Sequence, residues 1–561
     1  MSFEPISQAI QQEATAATTD QTRSVRVRRG VYSMRERPGF YMVRTRIPAG
    51  LISPEQLEAI AALAEEVNWP LGVHLTTRQG LELPGVPADK VVPILEKLQA
   101  AGITTFLTGG NSLRSPISCP YAGVTADEVF DVTPYALAVD HYFREVQTSY
   151  QVMPRKIKLA FEGCAHTDHV RTQVTDIGLR AVQREGQNGF QVLIAGGLGA
   201  TPKLARELEA FIPVSELLLT IETILRVFNA HGNRENRSRA RLKWLLEEKG
   251  LDWFRGEYDR ERADLAKNPP ALQLPTLTET APALDGYPAV TEAELGEHYA
   301  VWKETNIHEQ PQPGRVSVSI RVPNGDLLPQ HLRQIAALTR RFAGNVRTSI
   351  EQNFLLRHVS AQALPALYLA LKEAELDACC ADELIDITRC AGSDVCLSAL
   401  TNSRGAAFKI SEAIRGDFSR HPDLRHLRIR VSGCPNSCSH HHTADIGLFG
   451  LSRQIHGKPV PHYAIELGGT ASGTAVGSRV AEVPALRVGQ AVKSTLIFYR
   501  DQHTAGEDFA AFVERVGPDA IKERLAPLAN VPPPETAPTL YRDLGSDKDF
   551  RLTAKRGECA A

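Results

Sequence analysis

The chain has 561 residues, 43% of them hydrophobic, enough for several cores because a single core stops growing well below this length. Lys and Arg number 63 against 65 Asp and Glu, a formal charge of -2, so no global field favours nucleic acid or an anionic membrane, and local basic clusters must carry any anion binding. No run is long and apolar enough to read as a membrane span, and residues 1–22, with Glu4, Glu13 and Asp20 but no basic leader or apolar core, read as neither signal nor transit peptide.

In chain order, residues 1–30 read as a disordered arm, whose Arg23, Arg26, Arg28 and Arg29 offer either a patch for an acidic partner or a loose basic segment. Residues 31–118 read as half of a split ferredoxin-like unit. Within it, Ser53-Pro54-Glu55-Gln56 supplies an N-cap, an N1 proline and a capping-box glutamine for a helix over 54–67, with Leu57, Ile60, Ala61, Ala64 and Val67 on one stripe. Val73–Thr77 is the return strand, and 86–101 holds a second amphipathic helix. Residues 119–265 form an α+β domain behind the strand Lys156–Phe161. Residues 266–310 are a linker, with Pro269, Pro270, Pro275, Pro282 and Pro288. Residues 311–384 form a second ferredoxin-like half, where Val316, Val318, Ile320 and Val322 alternate with polar residues. Residues 385–530 are a second α+β domain with a strand at Leu427–Val431, and 531–561, behind a proline run at 532–534, is a polar tail that wraps or frays.

These parts repeat. Arg46-Ile-Pro-Ala-Gly50 and Ile60-Ala-Ala-Leu63 match Arg321-Val-Pro-Asn-Gly325 and Ile335-Ala-Ala-Leu338 at a shift of 275. Arg78-Gln79 matches Glu351-Gln352 at 273, and Gly163-Cys164 with Asp176-Ile-Gly-Leu179 matches Gly433-Cys434 with Asp445-Ile-Gly-Leu448 near 270. The fold class is therefore α+β, a tandem duplication of a two-part module around a pseudo-two-fold axis. Such an arrangement invites a site between the copies. On this register Arg114 falls near Cys390, so module two would hold thiolates and module one cations.

Nine cysteines, an odd number, fit a reducing cytoplasmic location where thiolates serve metals. Cys390-x5-Cys396 and Cys434-x3-Cys438 offer four of them, which suits a closed iron-sulfur cluster. Zinc is the second reading, because the first spacing is longer than a zinc knuckle, and a non-catalytic zinc or iron-sulfur scaffold belongs to another functional class. Disulfides and buried structural thiols rank lower, since Gly433-Cys434-Pro435-Asn436 is turn chemistry that presents side chains. Cys119, Cys164, Cys379, Cys380 and Cys559 default to free thiols.

The combination of Cys390-x5-Cys396, Gly433-Cys-Pro-Asn-Ser-Cys438 and His441-His-x-x-Asp-Ile-Gly447 resembles the sirohaem/[4Fe-4S] sulfite and nitrite reductase family. The resemblance implies that Cys390, Cys396, Cys434 and Cys438 ligate the cluster, that Cys438 also bridges it to the sirohaem iron, and that Asn436 lies against the cofactor. It makes 119–265 and 385–530 the sirohaem-binding domains. Met42-Val-Arg44, Asn111-Ser-Leu-Arg114 and Pro154-Arg-Lys156-Ile-Lys158 match the family's substrate cations, so Arg44, Arg114, Lys156 and Lys158 are expected around the bound anion; without the resemblance Lys156-x-Lys158 reads as a solvated edge strand. Arg78 resembles an arginine that pairs sirohaem carboxylates, and Glu351 at the matching place implies one cofactor per chain. Arg46 is either a cofactor contact or a surface charge. Arg237, Arg241 and Lys243 form a basic face, available to the macrocycle or merely solvated. His440, His441 and His442 read as supporting donors or scaffold, and Ser439 departs from a glycine often found there.

The implied reaction is six-electron reduction of sulfite to sulfide, with nitrite to ammonia as the alternative. Keeping Lys158, where nitrite-reducing members tend to have Asn, points to sulfite because the extra cation favours the more highly charged anion. Gly196-Gly-Leu-Gly199 lacks the order of a dinucleotide fingerprint, so electrons come from outside, from ferredoxin or else a flavoprotein subunit.

Overall fold

A computed structural model describes residues 3–15, 18–277, 279, 281–288 and 290–554. The duplication is visible as four five-stranded sheets among the described residues, two of one kind and two of another. In the first ferredoxin-like half, Val31–Ser33, Phe40–Arg44, Leu81–Pro87 and Val73–Leu75 pair in that order, and the edge is completed by Asp326–Leu327 from the second half. The second half reciprocates: Ile307–Glu309, Arg315–Ile320, Phe354–Ser360 and Asn345–Thr348 take Leu51–Ile52 from the first. Each copy thus lends the other an edge strand, which removes two exposed edges and fixes the relative position of the halves.

The helices follow from their caps. Gln56 N donates to Ser53 Oγ (3.2 Å) and Ser53 N to Gln56 Oε1 (3.0 Å), opening Pro54–Val67, which ends at Asn68 with φ 53°. It packs on its counterpart Pro329–Phe342, and Leu57, Ile60 and Ala61 share one core with Leu332, Ile335 and Ala336. The remaining sheets each carry a core of their own. In one, Ile117–Ser118, Leu159–Glu162 and Ile177–Arg184 run parallel; in the other, Thr388–Arg389, Ile429–Ser432 and Ile446–Ile455 do so. Long antiparallel strands complete both.

Several expectations need correction. Residues 4–15 and 20–28 of the supposed arm are helices: the first buries Ile6 and Ile10 in the first core, and the second is capped by Thr19, whose hydroxyl accepts from Thr22 N. Arg26 is buried and ion-paired to Glu13 at 3.0 Å, so it offers no surface charge. The linker ends early: Gly296–Asn306 is a helix with Tyr299 and Trp302 in the core, and Glu279 pairs with Arg357 at 3.0 Å. The tail, by contrast, takes one of its two expected courses and wraps: Val531, Leu540 and Tyr541 pack on Val460, and Thr553 Oγ1 accepts from Arg35. The strand expected from Lys156 begins at Leu159, preceded by a single bridge from Ile157 to Leu113. Residues 555–561, with Cys559, and the ends of the expected arm at 1–2 and 16–17 lie outside the described residues.

Candidate active site

The two parallel strands Thr388–Arg389 and Ile429–Ser432 stop beside each other, and each delivers a cysteine at its carboxyl end. Cys390 N donates to Val431 O (3.2 Å), and Gly433 N donates to the Cys390 sulfur (3.2 Å). Two glycines make the approach possible. A Cβ on Gly433 would sit 2.7 Å from Thr401 O, and Gly392 has φ 67° where the chain turns back so that Cys396 N reaches Gly392 O at 2.9 Å. In the second loop the left-handed residues are Ser437 (φ 54°) and His440 (φ 62°). Ser439 therefore sits in ordinary backbone space, and its hydroxyl lies 2.7 Å from that of Ser432.

All four cysteines line one cavity of about 410 Å³. Burial and the neighbouring Cys438, Cys396 and Cys390 push the Cys434 thiol up, as expected for four thiols facing a common space. Two groups of described residues are tight enough for a single ion, with ligand atoms within 4.8 Å of one another, and neither contains these cysteines. The four sulfurs are thus spread more widely than one zinc ion requires, which suits a cluster. Cys438 is exposed into the cavity, while Cys434 is buried.

The same cavity is lined by Arg44, Arg78, Arg114, Lys156, Lys158 and Asn436, so every residue expected at the site is brought to it, the cations from module one and the thiols from module two. Five cations around one space repel one another, and an anionic ligand relieves that. Burial, then Arg114, pushes Arg78 down to about 9. Burial, then Arg78 and Lys156, pushes Lys158 well below its ordinary value. Arg78 donates to Ser115 O (2.6 Å), and Arg114 to Gly110 O (2.7 Å). Arg44 is held by Glu82 at 2.6 Å and lies 4.6 Å over the Tyr32 ring. The buried Ser115 hydroxyl has no hydrogen-bond partner among the described residues, although it lines the cavity.

Some expectations fail here. Arg46 is neither a cofactor contact nor a surface charge, because it is buried and ion-paired to Asp140 at 2.6 Å. Of the basic face, only Arg237 reaches the cavity. Arg241 grips Asp176 at 2.8 Å, and Lys243 donates to the carbonyls of Gly197 and Leu198. His442 bonds Glu466 (2.6 Å) and Gly199 O (2.8 Å), His441 stacks on Phe449, and His440 meets Arg171 at 3.1 Å, all behind the cysteine turn. Glu82, Tyr32, His74 and Thr77 also line the cavity. Thr77 Oγ1 donates to Cys438 O at 2.7 Å, tying module one to the second cysteine loop. Sequence reading missed them, since they lie far from any cysteine, and it missed Arg389 as well, although that residue adjoins Cys390 and lines the same cavity.

Glu351, in the place of Arg78, meets Arg171 and lies 3.0 Å from Arg430. Burial raises its carboxyl, but Arg171 and Arg430 outweigh that and hold it at about 2. The register of Arg114 with Cys390 is also wrong. Cys119 N bonds Phe161 O (3.0 Å) as Cys390 N bonds Val431 O (3.2 Å), so Cys119 is the counterpart of Cys390.

Comparison with known proteins agrees with this arrangement. The profile of the nitrite and sulphite reductase 4Fe-4S domain matches residues 109–265 and 380–531, and that of the nitrite/sulfite reductase ferredoxin-like half domain matches 32–101 and 308–374. The chain belongs to the nitrite and sulfite reductase family. It is 29% identical over 447 residues, 78% of this chain and 82% of the relative, to a ferredoxin–nitrite reductase of Synechococcus elongatus. It is 28% identical over 526 residues, 89% and 86% of the two chains, to an assimilatory ferredoxin-dependent nitrite reductase of Haloferax mediterranei. The structure of the Mycobacterium tuberculosis NirA protein superposes with a TM-score of 0.76 at 21% identity, covering 92% of this chain and 95% of that one, which shows a shared fold. The protein is an oxidoreductase of this family, whose cofactors are sirohaem and a [4Fe-4S] cluster. Four converging thiols, a basic wall and an unpartnered buried hydroxyl fit a cluster beside a polycarboxylate macrocycle. Among the described residues no helix is long and apolar enough to cross a membrane.

Proposed function

We propose that the protein reduces nitrite to ammonia with six electrons delivered by a ferredoxin. The observation that carries the reading is the single cavity in which four thiols of module two face Arg44, Arg78, Arg114, Lys156 and Lys158 of module one. Nitrite is preferred over the sulfite expected from Lys158 because the relatives are named ferredoxin–nitrite reductases, and the same names favour ferredoxin over a flavoprotein subunit. Cys390, Cys396, Cys434 and Cys438 would hold the cluster, and Cys438, Arg78 and Asn436 would hold the sirohaem in the same cavity. Bound there, the two groups would supply an electron relay and a metal centre for reduction.

The chain's own residues do the rest. Arg44 and Arg114 neutralise the oxyanion and polarise its bonds to oxygen, because a guanidinium donates hydrogen bonds but hardly deprotonates. Lys156 and Lys158 pass protons to the departing oxygen, a role that suits Lys158 in particular, whose affinity for a proton is depressed by burial and then by Arg78 and Lys156. Glu82 orients Arg44.

Sulfite remains the second reading because Lys158 lines the cavity beside Lys156. Turnover of each anion with reduced methyl viologen as donor separates the two: kcat/KM is higher for nitrite. A higher value for sulfite returns the assignment to sulfite reductase, and failure with both anions in a fully loaded enzyme refutes the reading altogether.

A further inference from the structure

In module one the place matching the cluster cradle is not empty of ligands. Cys119 and Cys164 stand where module two has Cys390 and Cys434, each leaving the carboxyl end of a matching parallel strand. His169 falls in the stretch matching Cys438 and Ser439, and its N–H bonds Glu162 Oε2 (2.6 Å) as Ser439 N–H bonds Ser432 Oγ (3.4 Å). The ligand atoms of Cys119, Glu162, Cys164 and His169 all lie within 4.8 Å of one another. The two sulfurs are 3.9 Å apart, Cys119 Sγ is 3.4 Å from His169 Nδ1, and His169 Nδ1 is 3.7 Å from Glu162 Oε1.

We propose that Cys119, Cys164, His169 and Glu162 form a second metal site, a closed tetrahedral centre for one zinc ion. A tetrahedron with zinc–sulfur bonds of about 2.3 Å and zinc–nitrogen or –oxygen bonds of about 2.0–2.1 Å has edges of roughly 3.8 Å between sulfurs and roughly 3.4–3.6 Å for the others. The observed separations fall close to these without rearrangement. The set is too compact, and too poor in sulfur, for another cluster, and 3.9 Å is nearly twice a disulfide bond of about 2.05 Å. The carboxylate is held in place by N–H donation from Cys164 (3.0 Å) and His169 (2.6 Å), and Tyr121 packs on the imidazole with ring centroids 4.9 Å apart. Two thiolates and a carboxylate leave one negative charge around a zinc ion, and Arg180, ion-paired to Asp168 at 3.3 Å, also reaches the Cys164 carbonyl at 3.4 Å. Cys119 and Glu162 are buried, while the His169 side chain is 27% exposed and gives the ion a way in. With four protein ligands the site has no open position, so it acts as a staple for module one, as the cluster does for module two, and is independent of the substrate reading.

The test uses the full chain loaded with its cofactors, incubated with zinc(II) and desalted. Elemental analysis finds one zinc per chain in addition to the cofactor iron, and zinc-edge X-ray absorption of the wild type finds two sulfurs and two lighter ligands. The double variant Cys119→Ser/Cys164→Ser, and separately His169→Ala, lose the zinc but keep the iron and the visible spectrum. Absence of bound zinc in the wild type, a Cys119–Cys164 disulfide in its peptide map, or undiminished zinc in the double variant overturns the proposal. The absorption measurement on wild type stands even if a variant misfolds.

Discussion

Module one and module two answer the same structural question with opposite charge. Where the return strand of module one ends, Arg78 faces the cavity; at the matching place in module two, Glu351 is clamped by Arg171 and Arg430. One residue with the sign of its charge reversed leaves one copy with a cation at the cavity and fills the other with its own counter-ions. The cysteine turns diverge likewise: four thiols spread for a cluster in module two, against a compact mixed set in module one. Duplication supplied two frames, and the charge at this position separates them.

The comparison breaks most severely at Cys438. Cys438→Ser, which replaces the cavity-exposed thiol by a poor ligand, is expected to cost more than about 100-fold in kcat. The check is viologen-driven turnover together with the electronic spectrum of the coupled cofactors; full activity with an unchanged spectrum refutes the assignment. Next come Lys156→Ala and Arg114→Ala, expected to lower kcat by about 10² to 10³-fold and to raise KM while iron and sirohaem stay bound. Wild-type kinetics in both would move the anion pocket elsewhere.

The Glu351 side of the comparison is a matter of stability. Glu351→Ala leaves Arg171 and Arg430 buried without their carboxylate, at a cost of about 3–5 kcal/mol, read by denaturant unfolding. Its carboxyl titrates at about 2 in the folded protein against an ordinary 4.5. A depressed acid stabilises above its unfolded pKa, and that stabilisation is lost as pH falls from about 4.5 toward 2. The stability gap between wild type and Glu351→Ala is therefore full at pH 7 and narrows in acid; a constant gap would show that the carboxylate is not what Arg171 and Arg430 require. The smallest expected effect is at Lys158. Lys158→Asn should shift the ratio of nitrite to sulfite kcat/KM several-fold toward nitrite, about 1 kcal/mol for one unit charge near the anion. An unchanged ratio would show that this lysine does not select between the two.

Much of the site was legible because its residues sit in short words: Cys390-x5-Cys396, Cys434-x3-Cys438, Met42-Val-Arg44 and Asn111-Ser-Leu-Arg114 all reach the cavity. Arg46 was illegible for the opposite reason. It lies only two places beyond Arg44, but the strand ends at Arg44 and the buried Asp140, 94 positions away, captures it. The helix at 4–15 was missed because a polar composition hid Ile6 and Ile10, which only the neighbouring core makes useful.

The sequence by itself determined the duplication, the α+β class, the thiol set and the asymmetry between Arg78 and Glu351, since each is carried by local spacing or by a match at nearly constant shift. Only the tertiary structure decided that Leu51–Ile52 and Asp326–Leu327 cross between the halves, that Thr77 meets the Cys438 turn, and that Cys119, not Arg114, is the partner of Cys390. The reason is physical: a strand pairing or a ligand shell joins backbone segments up to several hundred residues apart, and a shift counted along the chain slips by one or more residues wherever a loop changes length. Hydrogen-bond register, which exists only in the folded protein, removes that slip.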